Sequence, residues 1–120
     1  MNLTPFEALF LTHFIADWLF QTLWEAMNKS KKILPLFVHS SIYTVSFIPV
    51  FYFYNFKWEY LLILFISHMI LDSRKFEFWW LKNIKRTRKE DVSDSLWTIL
   101  LIGVDQVFHL IVLGLLVIIS

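Results

Sequence analysis

Residues 95–119 read SLWTILLIGVDQVFHLIVLGLLVII, and this stretch decides the fold. A helix needs about 20 mostly apolar residues to cross a hydrocarbon core of roughly 30 Å, and this run is long enough. It lacks Pro and lacks the apolar/polar alternation of a half-buried strand, so it reads as a helix. Ser93 or Asp94 stands in place to cap its start. Its apolar middle is interrupted by Asp105, Gln106 and His109. An ionisable side chain at a bilayer centre costs at least ~2.5–3.5 kcal/mol, so such residues are rarely idle.

Three further apolar stretches precede it, over residues 5–27, 33–54 and 58–73. The first has a start signal, with Thr4 as cap, Pro5 at the first helical position and Glu7 reaching back. The chain has 120 residues, room for one domain over 1–120. Apolar residues make up 58%, charged residues only 18%, and 13 Phe with 6 Trp overfill any core that a soluble domain of this size would build. The expected class is therefore an all-α integral membrane protein, a four-transmembrane-helix antiparallel bundle. Residues 74–94 form a basic cytoplasmic segment, in which Phe76, Phe78, Trp79, Trp80, Leu81 and Ile84 interleave with Lys82, Lys85 and Arg86 as a short interfacial amphipathic helix. The absence of Cys removes disulfides and thiolate chemistry. The net charge of +1 says nothing about nucleic acid, and the basic segment lacks a reading motif, which argues against it. The first apolar stretch has no basic residues before it and contains His13 and Asp17, unlike a cleaved leader.

Orientation follows from the basic residues. Ten of the eleven Lys and Arg fall in the first and third connections, and Lys57 alone lies in the second. The positive-inside rule puts both termini outside the cytoplasm. The expected location is a bacterial inner membrane, crossed several times, with membrane lipids as partners and a homo-oligomer allowed.

The polar residues inside the spans share one spacing. His13-x-x-x-Asp17-x-x-x-Gln21, His39-x-x-x-Tyr43, His68-x-x-x-Asp72 and Asp105-Gln106-x-x-His109 each put a polar stripe on one helix face. All four His of the chain are in these stripes. Straight helices would set Asp17, Tyr43 and Asp105 at roughly 13 Å from the cytoplasmic boundary and His13 and His109 at roughly 20 Å. The first and fourth helices would then share a cage of His13, Asp17, Asp105 and His109. His39, His68 and Asp72, with Gln21, would form a second group nearer the cytosol. Imidazole and carboxylate suit zinc, manganese or iron, and bundle cores are a known place for such ions. Gln21, Tyr43 and Gln106 would orient the ligands. A metal-free His–Asp packing network is the competing reading.

These stripes, in this order, resemble a family of small uncharacterised bacterial and phage inner-membrane proteins, catalogued as a domain of unknown function. The matching elements are His13-Phe-Ile-Ala-Asp17-x-x-x-Gln21, His39-x-x-x-Tyr43, His68-x-x-x-Asp72 and Asp105-Gln106-x-x-His109, which cover nearly the whole chain. The resemblance implies a whole-chain domain of bacterial or phage origin and implies no activity.

Three functions fit the pattern. One is a cytosol-facing, metal-dependent hydrolase of a lipid or lipid-linked phosphate. Its ion would be held by His13, Asp17, His39, His68, Asp72, Asp105 and His109, with Asp17, Asp72 and Asp105 available for proton transfer and Lys32, Arg74 and Lys75 for the head group. Another is transport of a divalent metal or of protons, but the fourth helix beyond His109 has nothing to hydrate an ion. The last is a structural or assembly subunit, with the stripes acting as packing glue.

Overall fold

A computed structural model describes residues 2–120, and among them every regular element is helical. The order is α1 (Pro5–Phe14), a π-helical turn (Ile15–Leu19), α2 (Leu23–Asn28), α3 (Ile33–Ser46), α4 (Ile48–Tyr54), α5 (Tyr60–Asp72), α6 (Lys75–Asn83), a 3₁₀ turn (Lys89–Asp91) and α7 (Asp94–Ile119). Two stretches, Ile33–Tyr54 and Asp94–Ile119, are long and apolar enough to cross a membrane. Tyr60–Asp72 is apolar but shorter.

The first expected helix, over 5–27, is not continuous. Thr4 caps α1 as its sequence foretold, its hydroxyl accepting from the Glu7 N–H at 3.2 Å. The helix then widens into the π turn, where the Phe20 N–H reaches back five residues to the Ile15 carbonyl at 3.1 Å. It stops before Thr22, and a new helix starts there. Thr22 and Glu25 form a reciprocal capping box, Glu25 N–H to Thr22 Oγ1 at 3.2 Å and Thr22 N–H to Glu25 Oε2 at 3.4 Å. Local capping at Thr22 thus prevails over the apolar run. The second stretch bends where α3 passes into α4 at Phe47. Pro49 has no N–H to offer the Val45 carbonyl, so the helical ladder cannot continue straight through.

Asn55 (φ 58°) turns the chain after α4, and Arg74 (φ 68°) turns it between α5 and α6. The left-handed region is costly for a side chain with Cβ, so Arg74 marks a place where position outweighs backbone comfort. α7 runs unbroken from its Ser93 cap, whose hydroxyl accepts from Leu96 N–H at 3.1 Å, and packs against α1, α5 and α6.

The interior combines a polar part with apolar ones, the smaller apolar cluster being Leu81, Trp97 and Val104. The larger apolar cluster contains Leu9, Phe47, Phe51, Phe56, Leu64, Leu113 and Leu116. In the polar part, His13, Asp17, Glu25, Lys29, His39, His68, Asp72, Glu77, Asp105 and His109 are all buried. The outside is correspondingly apolar, with Leu19, Leu23, Ile33 and Ile118 among many large hydrophobic residues left exposed.

Candidate metal centre

Seven elements deliver the polar interior: α1 supplies His13, α6 supplies Glu77, and five others carry the rest. The π turn supplies Asp17, α2 supplies Glu25 and, just after it, Lys29, α3 supplies His39 and Tyr43, α5 supplies His68 and Asp72, and α7 supplies Asp105, Gln106 and His109. The break before Thr22 matters here. It turns α2 so that Glu25 and Lys29, one helical turn apart, both face inward and are buried.

Four donor atoms converge. His39 Nε2 lies 2.9 Å from Asp17 Oδ1 and 3.0 Å from Asp72 Oδ2. His68 Nε2 lies 3.1 Å from Asp72 Oδ2 and 3.9 Å from Asp17 Oδ1. These spacings bracket the roughly 3.3 Å between neighbouring donors around a tetrahedral ion with bonds of about 2.0 Å. Asp17, His39, His68 and Asp72 are one group whose ligand atoms all lie within 4.8 Å of one another, and Asp72, Asp105 and His109 are another.

Proton positions follow from the partners. His109 Nδ1 faces the Asp105 backbone carbonyl at 2.8 Å, and a carbonyl only accepts, so Nδ1 carries the proton. Neutral His109 therefore accepts at Nε2, and His68 Nδ1, 2.9 Å away, must donate to it. Neutral His68 is left with a bare Nε2, and that atom has no hydrogen-bond partner despite being buried. It lies beside the two carboxylates, 3.1 Å from Asp72 Oδ2 and 3.9 Å from Asp17 Oδ1. The ring is held by Tyr43, stacked on it at 3.8 Å between centroids. His39 follows the same rule, donating Nδ1–H to Glu25 Oε2 at 3.2 Å and turning Nε2 to the centre. Donation from the far ring nitrogen to an acceptor is how proteins orient metal-binding His. Without an ion, His39 Nε2 can carry a proton between Asp17 and Asp72, and ligation would release it.

A second chain of bonds supports Asp17. Gln106 Nε2 donates to Asp17 Oδ2 at 3.1 Å and to Asp105 Oδ2 at 3.2 Å, which fixes the direction of the amide. Gln106 Oε1 then accepts from His13 Nε2 at 2.7 Å, and His13 Nδ1 accepts from the Tyr43 hydroxyl at 2.8 Å.

The expected grouping is rearranged by these contacts. His13 and His109 are near each other, with rings 5.2 Å apart, and Gln106 ties Asp17 to Asp105. Yet Asp17 joins His39, His68 and Asp72 rather than a cage with His13 and Asp105, because the π turn shifts it out of the straight-helix register. His13 belongs to neither ligand group and acts through Gln106. Gln21 lies past the helix end, where its buried Oε1 finds no partner. Of the three basic residues expected at a head group, Lys32 and Lys75 are exposed, and only Arg74 lines the site.

Three charged residues were not anticipated. Lys29 Nζ donates to Asp72 Oδ2 at 2.7 Å and lies 3.8 Å from Asp17 Oδ1, so an ammonium already balances the two carboxylates. Glu25 fixes His39. Glu77, on α6, is fully buried with neither carboxyl oxygen partnered. Burial, and then the Asp105 charge, push its carboxyl up to about 8. The capping-box spacing Thr22-x-x-Glu25 and the four-residue spacing of Glu77 to buried Leu81 were signals available in the sequence. A cavity of about 170 Å³ opens beside the centre, lined by Asp17, Gln21, Lys29, Arg74, Asp105 and Gln106 among others.

Fold and site together define an all-helical protein with two helices able to cross a membrane and buried Asp/His groups able to hold a metal ion. A family model described as "Protein of unknown function (DUF3307)" matches residues 6–120, and the chain belongs to that family. No curated protein and no solved structure matches it.

Proposed function

We propose that this chain is a multi-pass protein of the bacterial cytoplasmic membrane that holds a divalent metal at Asp17, His39, His68 and Asp72 and hydrolyses a phosphate group on a lipid or lipid-linked substrate. The observation that carries the metal reading is the buried Nε2 of His68, which has no hydrogen-bond partner and lies 3.1 Å from Asp72 Oδ2 and 3.9 Å from Asp17 Oδ1. The membrane reading is supported by the inversion of polarity, with ionisable groups buried and large apolar side chains exposed. The longest dimension of 46 Å matches a bilayer with its head-group regions, about 40–45 Å. In this reading α1, α3–α4, α5 and α7 make four antiparallel passes, both termini lie outside, and α6 rests at the inner interface.

The phosphate class is supported by the cavity. Its wall carries two cations, Lys29 and Arg74, and it borders Asp17 on the ligand cluster. A metal there would polarise a phosphoryl oxygen and acidify water. Lys29 would pass from Asp72 to the substrate once an ion neutralised the carboxylate. Arg74, on its left-handed backbone, would hold a second phosphate oxygen. The four-donor set leaves Asp105 at the cavity wall as the spare carboxylate. Transport is less well supported. The apolar cluster of Leu9, Phe47, Phe51, Leu64 and Leu113 carries nothing to hydrate an ion beyond His13 and His109.

One contact favours a second reading. Lys29 at 2.7 Å from Asp72 fits a metal-free salt-bridge network that only fixes helix packing. The test is phosphate release from vesicles containing phosphatidate, with the purified protein reconstituted and loaded with zinc or manganese. Release should need the metal and should disappear in Asp17→Ala but not in Ser46→Ala. A metal-loaded wild-type protein that releases no phosphate from phosphatidate or a lipid pyrophosphate would remove the hydrolase reading.

A further inference from the structure

After α6 the chain turns back on itself. Arg86 sits in the left-handed region (φ 53°), and the Thr87 N–H then donates to the Leu81 carbonyl at 2.9 Å. The turn carries Arg86, Arg88 and Lys89 back beside Lys82 of α6, and these four cations line a cavity of about 600 Å³. That volume falls in the range of roughly 300–1,000 Å³ found for small-molecule sites. One wall is aromatic: Phe78 of α6 and Trp97 of α7 lie nearly parallel, at 25°, with ring centroids 6.1 Å apart. Glu90 is the single carboxylate residue in the lining.

The cations are not equivalent. Arg88 Nε is answered by Asp91 Oδ2 at 3.0 Å and by Glu90 Oε1 at 3.9 Å. Lys82, Arg86 and Lys89 pair with no carboxylate among the described residues. Arg86 holds a backbone conformation that Gly takes without steric cost, so its side chain is kept there against local preference. The exposed Lys31, Lys32 and Lys75 do not line this cavity.

A ligand that fits is anionic at one end and apolar at the other. A phosphate matches the three unpaired cations, and a glycerol with its first methylenes matches the Phe78–Trp97 wall. Depth selects the source. Trp97 stands in the first turn of α7, a helix long and apolar enough to cross a membrane, so the cavity lies where that span would begin. Basic pockets at this level meet the phosphates of anionic lipids, and Trp rings favour the same layer.

Resting on the membrane placement above and not on the metal, we propose that this cavity binds the head group of one anionic phospholipid. Lys82, Arg86 and Lys89 hold its phosphate, and Phe78 and Trp97 pack against its glycerol and upper chains. The basic segment then holds a particular lipid and is more than a diffuse positive anchor.

Phosphatidylglycerol and phosphatidylcholine are the probes. The full chain in neutral detergent is titrated with each, and bound lipid is counted by native mass spectrometry. Wild type should bind one phosphatidylglycerol per chain in preference to phosphatidylcholine. Lys82→Gln/Arg86→Gln/Lys89→Gln should bind it about 100-fold more weakly. Lys31→Gln/Lys32→Gln/Lys75→Gln removes the same charge and should bind like wild type. Arg86→Gly should melt no lower than wild type and still lose affinity, which separates lipid contact from folding. Equal binding of the two lipids, equal weakening by the two triple variants, or displacement of phosphatidylglycerol by a single-stranded oligonucleotide overturns the site. A chain that stays monodisperse without detergent overturns the membrane placement and the site with it. None of these outcomes bears on the metal centre.

Discussion

The two halves of the interior obey opposite rules. Around Phe47, Phe51, Leu64 and Leu113 the core is apolar and needs only shape. Around Asp72 nearly every contact is polar, each hydrogen bond has a direction, and several atoms remain unpaired. Apolar cores tolerate changes that preserve volume, whereas a polar cluster fails when one partner goes. The contrast teaches that the apolar half holds the helices, while the polar half gathers groups that could hold a metal ion.

The largest break should come at Asp72. Asp72→Ala strands Lys29 and removes a ligand, and stability should fall by about 3–5 kcal/mol with loss of bound metal, read by thermal melting and elemental analysis. Leu64→Ala, in the other half, should cost about 2–5 kcal/mol yet leave metal content unchanged. If Leu64→Ala lost metal as Asp72→Ala does, the two halves would be one cooperative core. Lys29→Met should tighten metal binding by about tenfold, because the competing ammonium is gone, as titration with a metal indicator would report. Thr22→Ala removes the α2 cap and should cost about 1 kcal/mol, loosening Glu25 and through it His39.

A pH dependence gives a separate test. In chelated protein, Glu77 has a folded pKa of about 8 against an ordinary 4.5. The folded state then binds more protons than the unfolded state between those values, so stability should decline as pH rises through that window. Glu77→Gln should flatten the melting temperature across the same window. An equal slope in both proteins would mean that Glu77 is not titrating in this way.

Much of this was legible in the residues. The four-residue spacing of His and Asp marked the polar stripes, and Ser93 and Thr4 marked two helix starts. What escaped was geometry that a periodic pattern does not carry. A straight-helix register takes His13, Asp17 and Gln21 as one stripe, but the π turn moves Asp17 toward His39 and the capping box at Thr22 ends the helix near Gln21. Lys29 was read as one of many anchoring basic residues, although its place one turn after Glu25 brings it inside. Glu77 was hidden among the aromatics of α6, where amphipathic patterning suggested a surface role and tertiary packing gave a buried one.

The proposed metal site is the Asp17–His39–His68–Asp72 cluster. The most direct measurement is the melting temperature of the detergent-solubilised protein as purified, after chelation, and after zinc or manganese is returned, for wild type and His68→Ala. An ion that binds the folded chain raises its stability in proportion to the logarithm of its concentration over Kd. Wild type should melt lower after chelation and recover with the ion, and His68→Ala should respond to neither step. A wild type indifferent to both would contradict the metal site and leave the cluster as a salt-bridge network closed by Lys29.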